Sequence, residues 1–285
     1  MKLQQHTPLG IYEKALPEDI SWQEKLSIVA ECGYDFLEIS IDESEERLER
    51  LYWPQSKKYE LLQAIAATGI PSLSMCLSGH RKYPMGSESP VIRKKSLDIM
   101  ERAIQFSVDI GVRVIQLAGY DVYYENGNQK TRELYCKSMS QAIEMASKAN
   151  VMLAIETMDH PFMNSVSKIM DFIDAYPSPL LQIYPDIGNL SAWGLNVKDE
   201  LKKGCGNIVG IHVKDTVSQV FRRIDFGTGT VDFCQAFKDL YDFHYQGPFV
   251  IEMWSGDKQD HKEKITYARR WIQAKMKQAG YCFDH

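Results

Sequence analysis

Short apolar runs rich in β-branched residues alternate with longer stretches of helical periodicity from near the first residue to the last. The runs at 9–12, 36–40, 72–77, 112–117, 151–156, 181–184, 208–213 and 249–253 read as strands. Between them, 22–32, 57–67, 90–110, 132–149, 166–175 and 233–243 carry apolar residues at the spacing of one helix face, and a shorter segment near 196–203 is crowded by Gly194, Gly204 and Gly206. Ser21 with Glu24 has the form of a capping box, and Asp232 stands as a cap before Phe233. Gly33, Gly69 and Gly111 end helical stretches and lead straight into strands.

About eight such strand-plus-helix units follow one another without a Pro-rich, Ser-rich or low-complexity linker. The pattern predicts an α/β fold, a closed (β/α)8 TIM barrel occupying residues 1–285 as a single domain. An open doubly wound sheet is the alternative, weakened by the lack of a Gly-x-Gly-x-x-Gly turn. Longer connections at 42–56, 78–89 and 119–129 follow the second, third and fourth strands, on the face where barrels build their pockets.

Composition narrows the class without changing it. The 285 residues, 44% hydrophobic and 25% charged, suffice for one large core. A net charge of −5 with scattered Lys and Arg offers no basic stripe, so no nucleic acid is expected as a partner. No stretch reaches the roughly 20 apolar residues of a membrane span, and the first ten residues lack the apolar centre of a signal peptide. A cytoplasmic protein without a membrane partner is expected. Its six cysteines form no Cys-x-x-Cys pair and read as free thiols.

The chemistry is concentrated in the second half of the chain. Val151-Met-Leu-Ala-Ile-Glu156, Leu181-Gln-Ile-Tyr-Pro-Asp186, Ile208-Val-Gly-Ile-His212 and Phe249-Val-Ile-Glu252 each end an apolar run on an ionisable side chain. In a parallel barrel the strands' carboxyl ends share one mouth, so these four groups are candidate ligands of one divalent metal. Three carboxylates and an imidazole suit zinc, manganese or cobalt better than calcium. Taken singly, each carboxylate also reads as a helix cap or an ion-pair partner, and His212 as a bonded core residue. Lys214 and Asp215 are placed to orient His212, while Asp215 and Glu38 are the only further carboxylates considered for a second metal. For a substrate's hydroxyls or phosphate the candidates are His80, Arg81, Asn189 and Arg222, with Arg223 and the Gly227-Thr-Gly-Thr230 turn as an amide source. Tyr12, Tyr120, Trp193 and Trp254 are candidate walls.

Pro8-Leu-Gly-Ile-Tyr-Glu-Lys-Ala-Leu16, Arg113-Val-Ile-Gln-Leu-Ala-Gly-Tyr-Asp-Val-Tyr-Tyr124, Tyr184-Pro-Asp-Ile-Gly-Asn-Leu-Ser-Ala-Trp193, His212-Val-Lys-Asp-Thr216 and Ile251-Glu-Met-Trp254 are long and distinctive. Through them the chain resembles the xylose-isomerase-like barrels, and within these the 3-epimerase family that interconverts L-xylulose 5-phosphate and L-ribulose 5-phosphate in bacterial anaerobic L-ascorbate use. The resemblance implies an isomerase acting on a small ketose phosphate, and a homodimer. It implies Glu156, Asp186, His212 and Glu252 as metal ligands, with Glu156 and Glu252 also exchanging the C3 proton through a cis-enediolate. Such inversion needs an acid and a base on opposite faces of a planar intermediate. Four rivals stay open: a 3-epimerase of free ketoses, a related hexulose-phosphate or hydride-shifting isomerase on the same scaffold, a zinc-cluster endonuclease, and a metal-stabilised sugar-binding protein.

Overall fold

A computed structural model describes residues 6–254 and 260–283. Eight parallel strands, β1 (Leu9–Tyr12), β2 (Phe36–Ile41), β3 (Ser72–Leu77), β4 (Val114–Ala118), β5 (Met152–Glu156), β6 (Leu181–Tyr184), β7 (Ile211–Val213) and β10 (Phe249–Ile251), lie in the order β6-β5-β4-β3-β2-β1-β10-β7. Two bridges join the ends of that ribbon, Ile183 to Ile208 and Asp186 to His212. The sheet is therefore a barrel closed between β6 and β7, and the closing seam pairs two of the four candidate ligands. β7 starts at Ile211 rather than at 208, because Ile208 makes only the single bridge across the seam.

The helices α1 (Trp22–Glu31), α3 (Gln55–Thr68), α4 (Pro90–Ile110), α5 (Gln129–Ala149), α6 (Val166–Ala175), α8 (Val197–Lys203), α9 (Phe233–Asp242) and α10 (His261–Ala279) follow the strands around the barrel, with two further short helices, α2 (Glu45–Glu49) and α7 (Ile187–Ala192), in the loops at the mouth. Capping explains where several begin. Ser21 accepts from the Glu24 amide while Glu24 reaches back to the Ser21 amide, and Asp232 accepts from the Gln235 amide. Gly69 and Gly111, at φ +72° and +82°, close α3 and α4 in the left-handed region that glycine enters without a Cβ penalty.

β2 is buried along its whole length, since helices cover the outer face of the sheet and side chains fill the interior. The loop after β7 departs from the simple repeat. It folds as an antiparallel hairpin of β8 (Asp215–Val217) and β9 (Val220–Ile224), turning at Gln219 with φ +61°. That hairpin carries Arg222 back over the mouth. Among the described residues no helix is long and apolar enough to cross a membrane.

Candidate metal centre

Glu156 is the last residue of β5, Asp186 caps α7 just past β6, His212 lies within β7, and Glu252 directly follows β10. All four are buried, and one ligand atom from each lies within 4.8 Å of the others. His212 Nδ1 is 2.9 Å from Glu156 Oε1 and 3.6 Å from Glu252 Oε2. Lys214 Nζ stands 2.8 Å from both Asp186 Oδ2 and Glu252 Oε2. Gln116, on β4, donates a very short hydrogen bond to Glu156 Oε2.

Asp186 has one oxygen on a helix end and the other free of directed hydrogen bonds. Oδ1 accepts from the Asn189 amide at 2.9 Å and caps α7. Oδ2 is buried and accepts no well-directed hydrogen bond, although Lys214 is at ion-pair distance. A fully buried oxygen with an ion-pair partner but no directed hydrogen bond keeps lone-pair capacity that a metal would satisfy.

The charges agree with that fit. Three ligand carboxylates against one lysine leave a surplus of two negative charges in a dry site, and a divalent cation cancels it. Without that cation the carboxylates separate. Burial pushes Asp186 up to about 8 and raises Glu156, against the pull of Lys214 and His212. Burial acts the same way on Glu252, but there Lys214 and His212 prevail and hold it at about 2. Asp186 and Glu252 thus share one lysine and shift in opposite directions, because Lys214 and His212 together cannot neutralise three carboxylates. Burial lowers His212, but the surrounding Glu38, Glu156 and Glu252 raise it well above the ordinary imidazole value.

The ring of His212 is oriented differently from the sequence expectation. Neither Lys214 nor Asp215 makes a hydrogen bond to it. Its Nε2 lies 2.5 Å from Glu38 Oε1, deeper in the barrel, and the edge of the Tyr184 ring meets it with centroids 4.9 Å apart. Asp215 holds the following loop instead, its Oδ2 accepting from the Gly227 and Gly229 amides at 2.9 and 3.0 Å. The Gly227–Thr230 turn therefore does not offer those amides to an anion. Glu38 and Asp215 lie outside the four-membered cluster, and they form no second metal centre among the described residues.

Above the quartet opens a cleft lined by Tyr12, Lys14, Arg81, Asn189, Arg222 and Trp254, among others. Three of the four softer candidates reach it. Arg222 donates to Asp159 Oδ2 at 2.7 Å. Asn189 donates to the Thr157 carbonyl, while its own Oδ1 is buried without a partner. Arg81 lies over the Tyr123 ring at 4.7 Å, with Glu43 at 3.8 Å and no hydrogen bond to its buried Nε. His80 is the exception. Its ring turns away to the Ser96 carbonyl at 3.1 Å, and burial lowers its pKa to about 4, so it is a neutral packing residue. Of the aromatic candidates Tyr12 and Trp254 wall the cleft; Tyr120 is buried with its hydroxyl on the Ser78 carbonyl, and Trp193 donates to the Met158 carbonyl. Lys14, beside Asp42, was not among the sequence candidates; its place straight after β1 was the available signal. All six cysteines are free thiols.

Comparison with known proteins identifies the family and its fold. A family model described as xylose isomerase-like TIM barrel matches residues 26–275. The solved structure of an L-ribulose 3-epimerase superposes with a TM-score of 0.79 at 18% identity, covering 96% of both chains. That of D-psicose 3-epimerase with D-tagatose from Clostridium cellulolyticum H10 gives 0.81 at 15% identity, covering 96% of this chain and 100% of the other. This chain belongs to the xylose isomerase-like TIM barrel family. Within it, the chain is 49% identical over 278 residues, 98% of each sequence, to L-ribulose-5-phosphate 3-epimerase UlaE of Escherichia coli.

Proposed function

We propose that this protein is a sugar-phosphate epimerase, an isomerase that interconverts L-xylulose 5-phosphate and L-ribulose 5-phosphate by proton transfer at C3, in L-ascorbate breakdown. The observation that carries the reading is the pair Glu156 and Glu252, which enter one buried cluster from strands three positions apart around the barrel, via β6 and β7. Inversion at a carbon through a planar enediolate needs one carboxyl group to take the proton from one face and another to return it from the other. The near full-length similarity to L-ribulose-5-phosphate 3-epimerase supports the same substrate class.

Glu156, Asp186, His212 and Glu252 would hold one divalent ion, with zinc as first choice and manganese or cobalt as the alternatives. When bound, such an ion stabilises the negative charge that develops on the substrate oxygens. Lys214 bridges Glu252 and Asp186 and offsets part of their charge, while Tyr12 and Trp254 keep water from the reacting carbon. Asn189 Oδ1 has acceptor capacity for a sugar hydroxyl, and Arg222, steadied by Asp159, presents donors at the rim. Arg81, with Glu43 3.8 Å away, and Lys14 supply the counter-charge for the phosphate. A cytoplasmic homodimer completes the reading, in keeping with six free thiols.

The test is turnover in deuterated water. Metal-reconstituted enzyme should place deuterium at C3 of both epimers of the ketose phosphate and act far more slowly on free L-ribulose. Turnover without label at C3 would assign the chemistry to a hydride shift, and binding without turnover to a sugar-binding protein.

A further inference from the structure

Glu38 has no part in the quartet, yet among the described residues it is the carboxylate that reaches the far side of the His212 ring. It lies inside β2, fully buried, with Oε1 2.5 Å from His212 Nε2. Its second oxygen accepts from Ser74 Oγ at 2.6 Å and from the Tyr184 hydroxyl at 3.0 Å. Three neighbours from three other strands therefore converge on one carboxylate. A buried charge held this completely is costly to build unless its orientation is used.

The backbone makes room for the arrangement. A Cβ on Gly210 would stand 2.3 Å from the Tyr184 ring, so glycine there lets that ring occupy the place from which its hydroxyl reaches Glu38 and its edge packs on His212. With Oε2 accepting from two hydroxyls, Oε1 is placed to accept as well, so a singly protonated His212 ring carries its proton on Nε2. The lone pair is then left on Nδ1, which faces Glu156 and Glu252.

We infer that Glu38 is a positioning residue for the metal centre, fixing the tautomer and direction of His212 so that Nδ1 is presented as a ligand. The inference rests on reading the quartet as a divalent-cation site, and the experiment separates the two. Zinc affinity is measured by competition with a chelator for wild-type protein and for Glu38→Gln, which keeps the shape and removes the charge. Wild type should bind one zinc per chain, and the folded variant should bind it about 10–100-fold more weakly. One zinc in wild type with a dissociation constant changed less than about threefold in folded Glu38→Gln would overturn the positioning role and leave the cation site standing. No zinc in wild type would remove both.

Should the variant fail to fold, nitrogen-15 spectra of histidine-labelled, zinc-loaded wild type decide the matter. A metal-shifted Nδ1 and a slowly exchanging Nε2 proton on the same ring are expected. Zinc on Nε2, with the proton on Nδ1, would overturn the inference.

Discussion

Two buried ionic clusters lie at the carboxyl end of the strands, one built around a single enclosed carboxylate and the other around a single lysine. Just past β1, the single carboxylate of Glu13 accepts from Lys25 at 3.2 Å, from Arg50 at 2.8 and 2.9 Å and from the Ser40 amide at 2.9 Å, with Arg47 3.1 Å away. Burial would raise its pKa, but Arg50, Arg47 and Lys25 hold it at about 2. Past β5, β6 and β10 three carboxylates share one lysine, and two of them are pushed upward. Burial is equal in the two places, so it does not distinguish structure from chemistry. What distinguishes them is whether anything is left unsatisfied. The Glu13 carboxylate is enclosed by donors and ties β1, β2, α1 and α2 together, whereas the quartet has a negative surplus met by one lysine and no directed hydrogen bond to Asp186 Oδ2.

The largest effects should come from breaking the unsatisfied cluster. His212→Ala removes its one nitrogen ligand, so elemental analysis of purified protein should find metal well below one per chain and activity should vanish with it. An unchanged stoichiometry would take His212 out of the site. Glu156→Gln and Glu252→Gln should each lower kcat by about 10²–10⁴-fold while circular dichroism shows the fold intact. Activity within a few-fold of wild type in either variant would end its role in proton transfer.

The enclosed cluster should answer through stability alone. Glu13→Gln leaves three buried cations facing a neutral amide, at a cost of about 3–5 kcal/mol and a fall in Tm on the order of 10 °C. Metal content per folded chain should not change. The pH dependence has a definite sign. The folded pKa of Glu13, about 2, lies below its ordinary 4.5, so its contribution of roughly 3 kcal/mol is fully present above pH 4.5 and is lost as pH falls from there to about 2. Tm curves of wild type and Glu13→Gln should therefore converge across that window. Curves that stay parallel would mean that Glu13 is not the group whose charge matters.

The quartet was legible in the sequence because each member ends an apolar run, and a parallel barrel brings run ends together. Glu38 was legible only as a carboxylate for a second metal and not as a partner of His212, because it sits in the middle of Phe36-Leu-Glu-Ile-Ser-Ile41 and nothing local ties it to a residue on β7. In a barrel wrapped by helices the outward side is apolar too, so a lone charge within a strand points inward, toward the polar floor of the site. Glu13 was hidden for a different reason. It looks like an ordinary residue after a strand, and its three cations come from α1 and from the segment of α2 and the turn after it, contacts that no local pattern encodes. The β8–β9 hairpin was missed because strands of three and five residues are too short for period two to stand out, and its turn places Gln219 rather than glycine at positive φ.

The smallest predicted effect tests whether the enclosed cluster is a network or a sum of pairs. Lys25 makes its longest contact, and its ammonium also lies over the Trp22 ring, 5.2 Å from the centroid, which Arg50 shares at 5.1 Å. Lys25→Met keeps an unbranched stem, gives up the cation over Trp22 and removes one of three positive charges from around a carboxylate still bonded to Arg50 and to the Ser40 amide. Because Lys25 stands among the cations Arg47 and Arg50, part of the lost attraction is returned as relieved repulsion between them. The expected cost is about 1 kcal/mol, a Tm shift of roughly 2–4 °C, with metal binding unchanged. A loss as large as that of Glu13→Gln would show that the lysine, rather than the two arginines, neutralises the carboxylate.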